Sequence, residues 1–170
     1  WARVQMSNYD PANDQKDQLI SPVIKYNSPG GGAPTLEVNY AYRPLGPVPV
    51  LHDTFRIKAS LDCGMSFSHL IYEAWGDSLM TTTNYGSNFI PTSFSDFKTL
   101  RFLSELPAGS DEMVFSFETT NRKGNNFFLR NITIQQIWIS AESFAQDFRL
   151  FPNPSSGRFE LHAEGQEGRA

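Results

Sequence analysis

The sequence predicts an all-β protein: a two-sheet antiparallel β-sandwich of the jelly-roll kind, followed by a truncated β-rich C-terminal tail. Three observations lead there. Apolar and polar residues alternate with a period of two in several stretches, as in strands with one face buried. Nowhere do apolar residues hold a helical period for three turns. The 170 residues include 14 Phe, 6 Tyr and 3 Trp, with 11 Pro and 12 Gly to punctuate them. Aromatic residues favour strands, and frequent turn formers keep strands short.

Residues 8–17 (NYDPANDQKD) read as a loop rich in side-chain oxygen. Residues 19–24 follow as a short extended segment, which Pro22 marks as an edge. Residues 27–34 (NSPGGGAP) are a turn. Leu36, Val38, Tyr40 and Tyr42 then alternate with Thr35, Glu37, Asn39 and Ala41, a half-buried strand. After the loop RPLGPVP, Phe55, Ile57, Ala59 and Leu61 alternate with Thr54, Arg56, Lys58 and Ser60, the clearest strand in the chain. Asp62-Cys63-Gly64 supplies a turn. Residues 65–75 form a longer strand whose phase slips between Phe67 and Leu70, the signature of a bulge. Residues 76–91 are polar and turn-rich, residues 99–103 and 113–117 are strands, and residues 127–140 close the series. About eight closely spaced strands imply two packed sheets. Their predicted core includes Leu36, Val38, Phe55, Ile57, Phe115, Phe117, Ile132 and Ile134.

Residues 141–147 form a polar link, and a new segment starts near Phe148. We therefore expect a sandwich domain over residues 1–144, and over 145–170 a linker and the truncated beginning of a second domain. The apolar Phe148, Phe151, Phe159 and Leu161 must dock on the first domain or stay mobile, because one or two strands cannot bury enough surface alone. The start at Trp1 lacks the pattern of a signal peptide, and the chain is expected to be a piece of a longer protein.

Charge and chemistry narrow the function. Fourteen basic and 18 acidic residues leave a net charge of -4, which offers no field for nucleic acid or an anionic membrane. No apolar run has transmembrane length. His52, His69 and His162 lie in no HExxH pattern, no GxSxG elbow occurs, and Asp111-Glu112 sits beside a turn. His69 is expected to be a packed or hydrogen-bonded strand residue. The lone Cys63 can make no internal disulfide, and its apolar neighbours predict a buried small hydrophobe. The chain is thus expected not to be an enzyme.

Two sets of residues resemble known families. Leu19-Ile20-Ser21-Pro22, the strand ending Tyr40-Ala41-Tyr42, Leu61-Asp62-Cys63-Gly64, Phe89-Ile90-Pro91-Thr92, Asn121-Arg122-Lys123-Gly124-Asn125-Asn126 and Asn131-Ile132 follow one another over residues 17–134. This order resembles the MAM-like, choice-of-anchor-type jelly-roll domain of secreted Bacteroidetes proteins, often found after pappalysin-like (cytophagalysin) zinc metallopeptidases. The run Phe148-Arg149-Leu150-Phe151-Pro152-Asn153-Pro154-Ser155-Ser156-Gly157-Arg158-Phe159-Glu160-Leu161 is similar to the opening of a type IX secretion C-terminal sorting domain. These resemblances imply a noncatalytic accessory or binding domain of a secreted or cell-surface protein exported across the outer membrane. Its partners would be an upstream catalytic domain of the same polypeptide and the secretion machinery, with a glycan or protein as the candidate ligand. A carbohydrate-binding module of a glycan-degrading enzyme is the alternative.

The first resemblance also implies a structural calcium ion. Asp10, Asp14 and Asp17, with Asn8 and Asn13, supply oxygen ligands on an irregular backbone. Related domains carry an Asp before the late Asn-Ile; here Arg130 stands there, and its cation opposes calcium, so a plain solvated loop is the competing reading. For sugar binding, Trp75, Tyr85 and Phe89 flank the polar loop, and Tyr85 is the expected exposed contact while Trp75 and Phe89 belong to a core. Asn131-Ile132-Thr133 fits an N-glycosylation sequon, expected silent on a strand, and Asp77-Ser78-Leu79 resembles the Bacteroidetes O-glycosylation pattern.

Overall fold

The alternating segments pair into two antiparallel sheets packed face to face. The computed structural model describes residues 2–5, 14–25, 35–46, 53–102, 112–122, 124–135, 149–151 and 159–161. Its strands are β1 (Ala2–Gln5), β2 (Gln15–Ile20), β3 (Ile24–Lys25), β4 (Thr35–Tyr42), β5 (Thr54–Ser60), β6 (His69–Trp75), β7 (Lys98–Phe102), β8 (Glu112–Asn121), β9 (Asn126–Gln135), β10 (Arg149–Phe151) and β11 (Phe159–Leu161). Sheet 1 runs β11-β1-β9-β4-β7 and sheet 2 runs β10-β2-β8-β5-β6, with β3 also paired to β8. Setting aside the short β3, β10 and β11, the chain changes sheet at every step except the β5–β6 hairpin, giving the orders β1-β9-β4-β7 and β2-β8-β5-β6. That is the jelly-roll connectivity of two interleaved Greek keys.

The core lies between the sheets, where the period-two pattern sends it. Leu36, Val38 and Tyr40 of β4 and Phe127 and Leu129 of β9 meet Phe55, Ile57 and Ala59 of β5 and Phe115 and Phe117 of β8, all buried. Each such large side chain contributes about 1.5–3 kcal/mol through burial. Phe127 stacks on Tyr40 with centroids 5.7 Å apart and lies 4.7 Å from Phe55, tying the sheets together. Ile132 and Ile134 are half-buried and pack against this cluster.

Two irregularities re-aim side chains. Between β4 and β9, Asn131 and Ile132 together oppose Val38, and Asn131 takes a φ of 48°. This is a bulge that separates the two halves of β9. Between β5 and β6, Ile71 is the extra residue, so the expected slip lies slightly later than the sequence places it. The strand itself starts only at His69, because residues 62–65 turn. Asp62 fixes that turn by accepting from the Ser60 hydroxyl (2.5 Å) and from the Ser66 amide and hydroxyl (2.9 and 2.6 Å). These hydroxyl and amide donors hold its carboxyl down to about 2. Cys63, at φ 58° in the same turn, is exposed, which corrects the expectation of a buried thiol. His69 is likewise exposed, at the start of β6.

In the tail, β10 pairs with β2 and β11 with β1, so each sheet gains one edge strand. The expected break near residue 145 falls outside the described residues.

Candidate binding face on the capped sheet

The segment between β6 and β7 crosses from sheet 2 to the outer face of sheet 1 and caps it. It opens with a 3-10 turn, Gly76–Leu79, and ends with a second, Phe94–Asp96. The cap is fastened by a small apolar plug and by hydrogen bonds. Phe89 packs on Ala41 of β4 and Phe128 of β9, with Phe97 at the margin. These two strand residues point away from the core because their neighbours Tyr40, Tyr42, Phe127 and Leu129 point into it. Thr81 donates its backbone N–H to the Tyr42 carbonyl (2.9 Å) and its hydroxyl to the Asp96 carbonyl (2.8 Å). Gly86 donates to the Pro44 carbonyl (3.0 Å).

The turn between β8 and β9 supplies the strongest fastening. Asn125 is buried; its carbonyl oxygen accepts from the Phe89 amide (3.0 Å) and its amide donates to the Gly86 carbonyl (2.5 Å). Asn126 donates its side-chain amide to the Phe89 carbonyl (3.1 Å). Beneath the turn, the buried Asp53 carboxylate accepts from the Tyr42 hydroxyl (2.6 Å) and the Arg122 amide (2.7 Å). Burial, then the adjacent Asp53 charge, pushes the Tyr42 phenol far above its usual range, so it stays a donor at every working pH. Gly124 sits so close that a Cβ there would lie 1.4 Å from Asp53 Oδ2 and 2.7 Å from the Tyr42 hydroxyl. Any side chain at 124 therefore displaces this network. Three stretches quoted for the first resemblance, ending Tyr42, starting Phe89 and spanning 121–126, thus meet at one place.

Held this way, the cap presents aromatic surface. Tyr85 is 40% exposed and Phe94 77%, and Ile90 of the same segment is exposed too. Tyr85 is exposed as expected and donates a long hydrogen bond to Asp77 (3.4 Å). Phe89 is buried as expected, though in the plug and not in the inter-sheet core. Trp75, 53% exposed, departs from expectation: Ala74 of β6 enters the core, so the next residue faces outward on sheet 2. Two shallow cavities flank the second 3-10 turn. One, about 150 Å³, is lined by Pro91, Thr92, Ser93, Phe94, Phe97 and Arg130. The other, about 240 Å³, includes Arg43, Thr82, Thr83, Asn84, Ser95 and Asp96.

The acidic loop has a different environment. Asp14 pairs with Arg122, whose Nη2 donates to Oδ2 at 2.8 Å, and Asp17 accepts from the Asn121 side-chain amide at 2.8 Å. Asp10 lies outside the described residues. A guanidinium on Asp14 already supplies the positive charge that a calcium ion would bring, and it opposes a second cation there. Among the described residues, no three His, Cys, Asp or Glu side chains gather as a metal-holding group. Arg130, whose charge weighs against calcium in the sequence, instead lies over the rings of Phe94 and Phe97 (4.4 and 5.0 Å to the centroids).

Of the two modification patterns, Ser78 has its hydroxyl engaged at both ends, donating to the Trp75 carbonyl (2.6 Å) and accepting from the Trp75 amide (3.0 Å). Asn131 is exposed at the bulge of β9.

Sequence reasoning missed Asp53, Asn125 and Arg43 as organisers of this face. Each acts on residues far away in the chain, so no local pattern marks it. The only local signal is the Asn-rich turn 121–126. Comparison with protein-family models, curated proteins and solved structures returned no match.

Proposed function

We propose that the chain is a noncatalytic binding module whose ligand meets the cap over sheet 1. The supporting observation is the union of exposure and fixation. Tyr85 and Phe94 offer ring faces to solvent, while Asn125 and Thr81 hold the segment that carries them against the sheet. Rings that are already positioned cost little further ordering when a ligand arrives. The residue orders given above support placing this module in a secreted multidomain bacterial protein, beside an upstream catalytic domain such as a metallopeptidase, with the tail addressing type IX secretion.

The test immobilises the 170-residue chain and passes a panel of polysaccharides and extracellular proteins over it. We expect retention of at least one, lost in a Tyr85→Ala/Phe94→Ala variant whose melting temperature is unchanged. These exposed rings contribute little to the core, so the fold should tolerate their loss. Retention that the double variant leaves intact, or no retention by the folded chain, overturns the proposal.

A further inference from the structure

We infer that the cap takes an acidic polysaccharide, one whose uronate carboxylates engage Arg43 and Arg130; the inference rests on the binding face proposed above. Its basis is how the arginines are neutralised. Arg56 pairs with Glu73 and Glu118, Arg101 with Glu37 and Arg122 with Asp14. Arg43 and Arg130 have no carboxylate partner among the described residues. They rest on rings instead: Arg43 lies 4.7 Å from the Phe89 centroid, and Arg130 lies over Phe94 and Phe97. Arg43 adds one long hydrogen bond to the Thr82 hydroxyl (3.4 Å).

A ring holds a guanidinium through its quadrupole without consuming N–H donors. Planar donors left available in this way match a carboxylate in two-point fashion. The two arginines line the two cavities on either side of the Phe94–Asp96 turn. The cap thus carries two cationic subsites separated by a single turn that bears an exposed phenyl ring.

Asp96 shares a cavity lining with Arg43 but forms no ion pair with it; its Oδ2 accepts from the Thr92 and Ser93 amides (2.7 and 2.9 Å), which orients the carboxylate into its own turn. The remaining lining favours a sugar over an acidic peptide. Thr83 and Asn84 are exposed, and their side-chain polar groups have no partner among the described residues. Hydroxyls and carboxamides of this kind bind sugar hydroxyls, while Phe94 offers an apolar face to the C–H side of a pyranose ring. A net charge of -4 supplies no long-range attraction for polyanions in general, so selection must come from these local groups.

A matched pair of polymers tests this. De-esterified polygalacturonate and its highly methyl-esterified form share a backbone and differ in carboxylate charge. By affinity electrophoresis we expect the de-esterified form to bind at least about tenfold more tightly, each good charge-assisted contact being of that order. Arg43→Gln and Arg130→Gln should each weaken it about tenfold at unchanged melting temperature, and Arg130→Lys should weaken it less. If either variant fails to fold, the other and the polymer pair still decide. Equal binding of both forms overturns the acidic-glycan inference while leaving the binding face standing. Tighter binding of poly-glutamate than of polygalacturonate overturns it in favour of an acidic protein partner. Binding of neither polymer overturns it too, and retention elsewhere in the wider panel then separates that failure from failure of the binding face itself.

Discussion

The outer faces of the two sheets both carry arginines, and they hold them in opposite ways. On sheet 2, Arg56 and Lys58 from β5 and Lys16 from β2 converge on Glu118 of β8, at 3.3, 3.1 and 3.6 Å. Arg56 also reaches Glu73 of β6 and the Thr120 hydroxyl (3.0 Å). The face is a closed ion network laid across four neighbouring strands. On sheet 1, the cap replaces carboxylates with phenyl rings, and Arg43 and Arg130 lie on them. The far end of the same sheet reverts to the first solution, with Glu37 holding Arg101 at 2.6 Å. A face whose charges satisfy one another has little to offer a ligand. A face whose cations lie on rings has donors available. The difference supports the binding surface proposed on sheet 1 without reference to any catalytic motif.

The largest expected effect breaks the fastening of the cap. Asp53→Ala leaves the Tyr42 hydroxyl and the Arg122 amide without their acceptor in buried surroundings. Hydrogen bonds to a charged acceptor contribute about 1.5–3 kcal/mol each, so denaturant titration should show a loss of about 3–5 kcal/mol. Asp53→Asn retains an acceptor oxygen and should lose about half of that. A loss below about 1 kcal/mol for Asp53→Ala would mean that this network adds little, and that the Phe89 plug and the Thr81, Asn125 and Asn126 hydrogen bonds hold the cap without it.

A smaller effect comes from opening the network on sheet 2. Glu118→Gln keeps an acceptor oxygen but removes the negative charge shared by three cations, and we expect a loss of about 1–3 kcal/mol near neutral pH. Burial raises the Glu118 carboxyl, but the hydrogen bond and charge of Lys58 and the charges of Lys16 and Arg56 outweigh it and leave it below its usual value of 4.5. A folded value below the unfolded one means the stabilisation is present above about pH 4.5 and is lost as pH falls through the folded value. The Glu118→Gln variant should therefore show a flatter stability profile between about pH 5 and pH 3. An unchanged profile would show that the network contributes little beyond covering the strands. The binding face should be indifferent to this substitution, which is the sharper half of the comparison.

What the sequence makes legible follows the same division. The inter-sheet core can be read from alternation alone, because Leu36, Val38, Phe55 and Ile57 each declare their side of the sheet through their immediate neighbours. The closed network on sheet 2 lies on the polar phase of those strands, where Arg56 and Lys58 stand. The cap cannot be read so. Tyr85 is legible as exposed from its polar loop, but Trp75 misleads, because the bulge at Ile71 sets the phase of β6 so that Ala74 enters the core and Trp75 faces outward. Cys63 misleads, and the surroundings of Arg130 stay hidden, for one shared reason: adjacent sequence does not report what surrounds a side chain in space. Cys63 turns outward at positive φ, and Arg130 meets rings contributed by a segment more than thirty positions earlier. Asp53 and Asn125 organise residues across similar separations, and no periodicity reports such convergence.

The smallest expected effect compares the sheets at their free edges. β11 adds three residue pairs to β1 on sheet 1, and β10 adds three to β2 on sheet 2. Ending the chain after Arg158 removes the first alone, and ending it after Ala145 removes both. Short edge strands contribute backbone hydrogen bonds at about 0.5–1.5 kcal/mol each and little cooperative burial. Each removal should therefore lower the melting temperature by a few degrees, as about 1 kcal/mol does in a domain of this size. The second truncation should cost about twice the first, since the two edges lie on different sheets and share no partners. No change after the cut at Ala145 would mean that the tail forms a separate unit that does not rely on the sandwich, as a sorting domain would. A drop of ten degrees or more would make the tail integral to the sandwich and withdraw the boundary at residue 145. Neither cut touches Arg43, Arg130 or the Phe94–Asp96 turn, so polymer binding at the cap should survive both.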